Sequence, residues 1–323
     1  MDVIVIGIDG GGTKTRIIAE IEKSHSIVVD VGPTVLSAMT PEQIRNALEE
    51  GKNRILSSAG ATETDIAAVA AGLAGVDYRV PETLSFARDL LKAVFPHSRI
   101  RVEQDVVAAL YGAFGISSGA LLVGGTGSVA VGRDNNGKIH IVGGWGHLFG
   151  DEGSGFYIGQ MAMRYACAFV DGRIENTILP EMILKKTGEP SIPILAMKIY
   201  LKDREWKRFA ASLAPVVLEA AANNDPIAAK IIDDASTALS QLAIKILQIT
   251  SANRLAFAGG LLRSKEYPWF AQTVREKIAK EMSFSYINDV LPPEVGGLLM
   301  AYETFGDNVG EEYKRLLRVS SNR

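Results

Sequence analysis

The sequence predicts an α/β protein built from two similar halves, and three observations lead to this prediction. The chain opens on an apolar run at residues 3–8, which is followed by three glycines and then by a second apolar run. A comparable order of strand, glycine turn and strand begins again at residue 120. Segments with helical patterns lie between and after these strands, as expected of an α/β chain.

The first strand is predicted at residues 3–8, because its Val and Ile residues are typical of a strand buried on both faces. Asp9 ends this run and is followed by Gly10, Gly11, Gly12, Thr13 and Lys14. Successive N–H groups of a glycine turn can converge on an anion, and Lys14 adds a positive charge beside them. The turn therefore predicts a phosphate site, with a plain glycine hairpin and a solvated lysine as the alternative.

The residues around this turn exclude two common nucleotide-binding loops. A P-loop requires Gly-Lys-Ser or Gly-Lys-Thr, whereas Gly12 is followed by Thr13 and only then by Lys14. The P-loop and the dinucleotide-binding fingerprint also both lead into a helix. Residues 16–29 instead have the pattern of two strands joined by a turn, so the glycines are predicted to lie in a β-hairpin.

The rest of the first half is predicted to alternate between helices and strands. Thr40 is a suitable N-cap and Pro41 a suitable first residue for a helix over 41–58. Further elements are predicted as a strand over 66–73, a helix over 82–94, a strand over 99–103 and a helix from 106. Asp105, between the last two, has the position of a helix cap or of a general base at the carboxyl end of a strand.

The second half repeats the pattern and then becomes mostly helical. Strands are predicted at 120–123, 129–133, 139–142 and 254–258, with helical segments through 151–250, at 269–282 and from 293. Because the strand–turn–strand pattern begins again near residue 120, one domain is predicted over 1–115 and a second over 116–305. The helix at 293–304 could join the first domain. The charged tail at 306–323 is expected to form an appended helix or to fray.

Composition limits the partners and the compartment of this chain. A net charge of −3 over 323 residues argues against a nucleic-acid or anionic-membrane surface. The single cysteine, Cys167, excludes an internal disulfide and is typical of a reducing compartment. Because the sequence also shows no signal peptide and no apolar run of membrane-spanning length, we expect a cytoplasmic protein.

Two further segments carry candidate binding residues. Residues 143–155 contain six glycines beside Trp145, Asp151 and Glu152, which predicts a ligand loop that leads into a helix, with a long surface loop as the alternative. Residues 259–260 are glycines directly after a predicted strand, where bare backbone could face an adenine ring or simply form a turn. The four histidines have no metal-ligand spacing.

The order of these motifs resembles one group of proteins. The motifs are DGGGTKT at 9–15, LAG at 73–75, Asp105, GGTGS at 124–128, GGWGHLFGDEGSG at 143–155, AFAGGLLRS at 256–264 and PPEVGGLLMAYE at 292–303. Their order is similar to that of the N-acetylglucosamine kinases in the BadF/BadG/BcrA/BcrD ATPase family, within the actin, hexokinase and heat-shock-chaperone superfamily. The resemblance extends to about residue 305.

This resemblance implies two ribonuclease-H-like domains of the actin-like ATPase type, with an interdomain cleft for ATP and sugar and a large helical insertion in the second domain. It implies a homodimeric sugar kinase that uses ATP and Mg²⁺. Asp105 would be the general base, and Asp9 would help to hold Mg²⁺ directly or through water. ATP would contact Gly11, Gly12, Thr13, Lys14, Thr126, Gly127, Ser128, Ala210, Gly259 and Gly260. The sugar would contact Asp105, Gly144, Trp145, Gly146 and Asp151.

Two positions depart from the acetylglucosamine kinase pattern. The loop at 32–37 lacks the Asn and Trp that those enzymes carry, and Val129 stands where they tend to have Asn. Both changes remove polar groups from the expected sugar side, so N-acetylglucosamine, glucosamine and glucose all stay open as substrates. A sugar acid such as 2-keto-3-deoxygluconate is an alternative substrate.

Two other functions within this family are less well supported by the sequence. Some relatives are ATPases that activate a 2-hydroxyacyl-CoA dehydratase and hold an iron–sulfur cluster with two cysteines per subunit. Cys167 alone cannot supply four cysteines to a homodimer. A sugar-sensing regulator would require a DNA-binding segment that the sequence does not show, and it would not need the complete set of base and phosphate residues.

Overall fold

A computed structural model of the protein describes residues 3–201 and 206–321. The chain divides into two compact units, Met1–Ser117 together with Asp289–Arg323, and Ser118–Asn288. The chain therefore returns to the first unit before its final two helices. Residues 322 and 323 of the predicted tail lie outside the described residues.

The first unit contains a five-stranded mixed sheet. Its strands are β1 (Ile4–Gly10), β2 (Thr15–Ile21), β3 (His25–Val31), β4 (Ile66–Leu73) and β5 (Arg99–Gln104). They lie in the order β3-β2-β1-β4-β5, with β1, β2 and β3 antiparallel and β1, β4 and β5 parallel. The predicted hairpin around the first glycine turn is confirmed, since Gly10 pairs with Thr15 across it.

The described residues of this unit form five α-helices. They are α1 (Pro41–Ala59), α2 (Pro81–Val94), α3 (Asp105–Phe114), α11 (Pro293–Phe305) and α12 (Val309–Ser321), and a short 3-10 turn spans Glu63–Asp65. The predicted start of α1 is confirmed, because Thr40 forms a capping box with Gln43. The charged tail is a helix, and the Tyr313 hydroxyl on α12 donates to the carbonyl oxygen of Ala113 at 2.6 Å.

The second unit repeats the sheet of the first. Its strands are β6 (Gly119–Gly124), β7 (Ser128–Arg133), β8 (Ile139–Gly143), β9 (Arg254–Ala258) and β10 (Ser285–Ile287). The order β8-β7-β6-β9-β10 has the same connectivity as β3-β2-β1-β4-β5, which confirms the predicted repeat. The short edge strand β10 was missed because three residues give almost no periodic signal.

The helical stretch of the second unit is divided into several helices. They are α4 (Gly155–Val170), α5 (Leu179–Thr187), α6 (Ile192–Leu201), α7 (Trp206–Ser212), α8 (Ala214–Ala222) and α9 (Pro226–Thr250), followed after β9 by α10 (Pro268–Glu281). Ser154 caps α4 by accepting from the Tyr157 N–H. Among the described residues, we find no helix that combines the length and the apolar character needed to cross a bilayer.

Candidate active site

The turn between β1 and β2 is the first part of the candidate site. Its ends pair at Gly10 and Thr15, and the Gly11 N–H donates to the carbonyl oxygen of Lys14 at 3.2 Å. Residues 12–14 at its tip are exposed to solvent. The predicted phosphate-binding residues of the first unit therefore lie on an accessible backbone turn.

Thr34, in the loop after β3, fixes the base of this turn. Its Oγ1 lies 2.8 Å from Thr15 Oγ1, and its N–H donates to the carbonyl oxygen of Gly11 at 3.4 Å. A Cβ atom at Gly10 would come within 2.4 Å of Thr34 Oγ1, so glycine is required there. This role of Thr34 was not predicted, because a threonine in a loop gives no signal of a distant contact.

Lys14 does not project freely from the turn. Its Nζ lies 3.0 Å from Asp30 Oδ2 on β3, and Arg16 donates two hydrogen bonds to the same carboxylate, at 2.7 and 2.8 Å. These two cations hold the pKa of Asp30 well below its usual range. Because the Lys14 side chain is half exposed, a stronger anion can compete with Asp30 for its ammonium group.

The negative charges of Asp105 and Glu294 act on a third acidic group of the first unit, Asp9. Asp9 lies near the end of β1, and burial raises its pKa to about 7, with further contributions from the charges of Asp105 and Glu294. The positive charges of Arg16 and Lys14 lower it only in part. The resulting negative potential would favour binding of a cation at Asp9.

Asp105 is the first residue of α3 and directly follows β5. It is not the N-cap, which is Gln104; its Oδ1 accepts from the N–H of Val106 at 2.9 Å. Burial raises the pKa of the Asp105 carboxyl, and hydrogen bonds from the backbone oppose this rise. The neighbouring Gln104 Oε1 is buried without a hydrogen-bond partner among the described residues. The Asp105 carboxylate and an acceptor oxygen without a partner therefore belong to consecutive residues at the end of β5.

Close helix packing brings Glu294 to this cluster. A Cβ at Gly7 of β1 would lie 2.1 Å from the Leu298 nitrogen on α11, and one at Gly296 would lie 1.8 Å from the carbonyl oxygen of Ala108 on α3. Glycine at both positions lets α11 approach β1 and α3 at backbone distance. Glu294, in the first turn of α11, consequently lies 3.4 Å from an Arg16 nitrogen.

The acidic residues are suited to a Mg²⁺ ion that takes most of its ligands from phosphate oxygens and water. Among the described residues, no three His, Cys, Asp or Glu side chains are arranged to hold a metal. Mg²⁺ in nucleotide sites is usually held by one or two carboxylates together with phosphate oxygens and waters. Asp9 offers such a carboxylate, and a bound cation would offset the negative charges that raise its pKa.

The turn between β6 and β7 is the corresponding part of the second unit. Its Thr126 is exposed, while its backbone is tied to the start of α4. The N–H of Gly155 donates to the carbonyl oxygen of Gly125 at 2.8 Å, and the N–H of Phe156 donates to that of Thr126 at 3.2 Å. This turn is therefore rigidly attached to the glycine-rich segment that precedes α4.

Asp151, predicted to bind sugar, contacts this turn directly. Asp151 is only 4% exposed, and its backbone is left-handed, with φ of 61°. Oδ1 accepts from the N–H of Ser128 at 3.0 Å, and Oδ2 lies 2.8 Å from Nζ of Lys207. Gly144 and Gly146, also predicted at the sugar, have φ of 69° and 77°. The structure thus joins Asp151 to the predicted phosphate turn, a link that sequence spacing could not reveal.

The aromatic residues of the glycine-rich loop differ in exposure. Trp145, a predicted sugar contact, is 61% exposed, and Phe149 in the same loop is 82% exposed. His147 instead packs edge-on against Phe156, with ring centroids 5.2 Å apart. Trp145 is therefore accessible to a ligand, and His147 is fixed against α4.

The predicted adenosine contacts occupy two different environments. Gly260 is exposed with open space around its Cα, and Gly259 has φ of 87° and packs against the carbonyl oxygen of Gly124. Ala210 is completely buried in α7, with its carbonyl oxygen against Gly159 of α4. The structure brings Gly259 to the strand that leads into the predicted phosphate turn, whereas the Ala210 side chain lies in helix packing.

Comparisons with known sequences agree with the family resemblance. The sequence model of the BadF/BadG/BcrA/BcrD ATPase family matches residues 6–301. The N-acetylmuramic acid/N-acetylglucosamine kinase of Clostridium acetobutylicum is 32% identical over 268 residues, which cover 81% of this chain and 87% of that enzyme. Other curated relatives are also amino-sugar kinases.

Solved structures share the fold. A crystal structure from Chromobacterium violaceum superposes with a TM-score of 0.74 at 25% identity, covering 93% of this chain and 99% of that one. The ROK family glucokinase of Streptomyces griseus, solved with glucose and AMPPNP, gives a TM-score of 0.58 at 16% identity, with coverage of 93% and 99%. The predicted ribonuclease-H-like, actin-like ATPase fold is confirmed. With the family match over 6–301, the chain belongs to the BadF/BadG/BcrA/BcrD ATPase family and is an ATP-dependent carbohydrate kinase.

Proposed function

We propose that the enzyme transfers the γ-phosphate of ATP to a hydroxyl of an amino sugar or hexose, with Asp105 as the general base. The observation that carries this proposal is the environment of Asp105 at the carboxyl end of β5, where burial raises its pKa. A general base is most effective when its pKa lies near the working pH, so a raised pKa makes the Asp105 carboxylate a better proton acceptor.

In this proposal, Asp105 accepts the proton of the attacking hydroxyl while the phosphoryl group is transferred in line. The hydrogen bond from the Val106 N–H fixes the direction of the carboxylate. Gln104 precedes Asp105, and its Oε1, which is buried without a partner among the described residues, would accept from a second hydroxyl of the same sugar. The two oxygens would together orient the acceptor.

The two backbone turns are proposed to bind the phosphates of ATP. The contributing residues would be Gly11, Gly12, Thr13 and Lys14 in the turn after β1 and Thr126, Gly127 and Ser128 in the turn after β6. Gly259, Gly260 and the α7 segment at Ala210 would contact adenosine. Asp9 would hold Mg²⁺, directly or through water, and bound Mg²⁺ would supply positive charge to the phosphate oxygens.

The acceptor is proposed to be N-acetylglucosamine or a closely related sugar, with Trp145, Gly144, Gly146 and Asp151 as its contacts. The relative from Clostridium acetobutylicum is named for N-acetylmuramic acid and N-acetylglucosamine, which supports an amino sugar. The exposed indole of Trp145 could stack on a sugar ring. We further propose a cytoplasmic homodimer, and the molar mass in solution from light scattering would test the dimer.

Substrate preference within this class follows from two packed positions. Thr34 is buried and hydrogen-bonded to Thr15. Val129 lies against Gly144, since a Cβ added at Gly144 would be 3.0 Å from Cγ2 of Val129. Neither position offers a polar group to an acetamido substituent. We therefore propose that the enzyme discriminates less between N-acetylglucosamine and glucosamine than a kinase that carries Asn and Trp in the 32–37 loop and Asn at position 129.

An acceptor screen tests this function. ADP release would be measured with ATP and Mg²⁺ in the presence of N-acetylglucosamine, N-acetylmuramic acid, glucosamine, glucose and 2-keto-3-deoxygluconate. We expect an amino sugar to give the highest kcat/KM. A preference for 2-keto-3-deoxygluconate would show that the substrate is a sugar acid rather than an amino sugar. If no acceptor increased ADP release, kinase activity on these sugars would be contradicted.

A further inference from the structure

A buried carboxylate lies against the turn that is proposed to bind phosphate in the second unit. Asp151 accepts from the Ser128 N–H at 3.0 Å, and a Cβ at Gly127 would lie only 2.6 Å from Asp151 Oδ1. With the residue 4% exposed, water screens its charge poorly. An unneutralised charge at this place would repel a polyphosphate chain on the same turn.

Asp151 cannot easily move away from the turn. Its backbone is left-handed, and its carbonyl oxygen accepts from the N–H of Ser154, the cap of α4. The next residue, Glu152, accepts from Ser128 Oγ at 2.8 Å through its carbonyl oxygen. Since the turn and the start of α4 are joined by these bonds, the charge of Asp151 has to be balanced where it stands.

Lys207 supplies the balancing charge. Its Nζ lies 2.8 Å from Asp151 Oδ2, on the carboxylate oxygen that Ser128 does not use. The lysine side chain is 36% exposed, so the pair is buried on the carboxylate side and reaches solvent on the ammonium side. Removing the cation from such a pair is strongly destabilising, because it leaves a buried carboxylate without a compensating charge.

The position of Lys207 is set by the packing of α7 on α4. Trp206 packs edge-on against Phe156, with ring centroids 6.2 Å apart, and stacks with Phe209 at 6.0 Å. A Cβ at Gly159 would lie 1.8 Å from the carbonyl oxygen of Ala210, so the two helices meet at backbone distance. Lys207 therefore approaches Asp151 from a packed helix rather than from a loop.

We propose that Lys207 is a positioning residue for nucleotide binding, because it cancels the charge of Asp151 and keeps that carboxylate bonded to the Ser128 N–H. This inference rests on the proposed role of residues 126–128 in binding phosphate. It gives Asp151 a task on the nucleotide side of the reaction in addition to any contact with sugar. It also predicts that the contribution of Lys207 to binding affinity increases with the number of phosphates on the ligand.

Isothermal titration calorimetry with ATP, ADP and adenosine, in the presence of Mg²⁺ and without sugar, tests the proposal. Lys207→Met should weaken ATP binding by roughly tenfold, the scale of one uncompensated charge near a bound anion, and ADP binding by less. Adenosine affinity should not change. Lys207→Arg should retain most of the affinity for ATP, and Lys230→Met, which removes an exposed lysine of the same unit, should bind ATP as the wild type does.

The double variant Asp151→Asn/Lys207→Met separates charge from packing. An asparagine oxygen can still accept from the Ser128 N–H, so ATP affinity should recover to within about threefold of the wild type. If Lys207→Met does not fold, recovery in the double variant still supports the proposal. Equal losses for ATP and adenosine, an unchanged ATP affinity in Lys207→Met, or no recovery in the double variant would overturn it.

A separate variant distinguishes failure of this inference from failure of the underlying function. Thr126→Ala alters an exposed side chain of the turn and leaves the Asp151–Lys207 pair unchanged in sequence. A wild-type protein that binds no ATP, or that binds ATP as tightly with Thr126→Ala, would contradict the proposed phosphate site. If Thr126→Ala weakened ATP binding and Lys207→Met did not, only the proposed role of Lys207 would be overturned.

Discussion

The negative charge of Asp105 helps to raise the pKa of Asp9, although the two residues come from different strands of the sheet. Asp9 lies near the end of β1 and Asp105 directly after β5, with β4 between them. Two strand spacings correspond to about 10 Å, a distance at which charges still interact when water is partly excluded. The parallel part of the sheet thus brings a proposed metal contact and a proposed base to one edge.

Asp9 should make the stability of the ligand-free protein depend on pH. Its pKa is about 7 in the folded protein and near 3.8 in an ordinary carboxyl. The folded state therefore holds the proton more tightly, and the stability that Asp9 contributes is lost as the pH rises from about 4 to about 7. Asp9→Asn should then increase the free energy of unfolding by about 2 kcal/mol at pH 8, allowing for solvent screening, and by little at pH 4.

Urea unfolding at both pH values, without nucleotide or Mg²⁺, checks this prediction. Asp89→Asn, at an exposed position of α2, is the matched control and should change stability little at either pH. A gain from Asp9→Asn that is the same at pH 4 and pH 8 would mean that the Asp9 carboxyl does not titrate in this range.

The packing of α11 on β1 depends on Gly7. An alanine there would place Cβ 2.1 Å from the Leu298 nitrogen, and neither backbone can move without breaking the sheet or the helix. We expect Gly7→Ala to destabilise the protein by about 3 kcal/mol or more, the range of overpacked cores. Gly32→Ala is the control, because its Cβ would meet only Ala47 Cβ at 4.0 Å. Thermal unfolding would show an unchanged Tm for both variants if the close approach were absent.

The C-terminal helix α12 should be required for a stable first unit. Arg315 donates to both carboxylate oxygens of Glu20, one at 3.0 Å, and the Tyr302 hydroxyl donates to the same carboxylate. The Glu20 side chain is only 4% exposed. Arg315→Met should therefore cost about 3 kcal/mol, because it leaves a buried charge without its cation.

The double variant Glu20→Gln/Arg315→Met provides the control for that prediction. It removes both charges and should recover a large part of the lost free energy of unfolding in urea titrations. If the single and the double variant were equally destabilised, the loss would come from the packing of the Arg315 side chain rather than from the unpaired carboxylate.

The sequence predicts the order of most strands and helices, because most strands contain an apolar run bounded by glycines or by turn residues. The second sheet was predicted from the similarity of 120–142 to the opening, and its topology matches that of the first. The division of 151–250 into separate helices was not predicted, although Gly188 and the residues 223–226 are typical helix-ending and helix-starting signals. Asp105 was predicted at a strand end, but as a possible cap rather than as the first helical residue.

The candidate site was predicted less completely than the fold. Glu294 was not predicted as a site residue, although it lies in the matched segment at 292–303, because its effect on Asp9 depends on the approach of α11 to β1 at Gly7. Lys207 lies 56 residues from Asp151 in sequence and is one of many lysines, so no local pattern marks it. Contacts of this kind depend on tertiary packing, which periodicity does not contain.

The role of Asp105 is tested most directly by the turnover of Asp105→Asn. Asparagine keeps the size of the side chain and its bond to the Val106 N–H, but it cannot accept the hydroxyl proton. With saturating ATP, Mg²⁺ and the best acceptor sugar, we expect kcat for sugar phosphate, measured by ³¹P NMR or coupled ADP release, to fall by roughly two to four decades. The affinity for ATP, measured by calorimetry, should remain near that of the wild type. An Asp105→Asn variant that forms sugar phosphate at the wild-type rate would contradict the proposed general base.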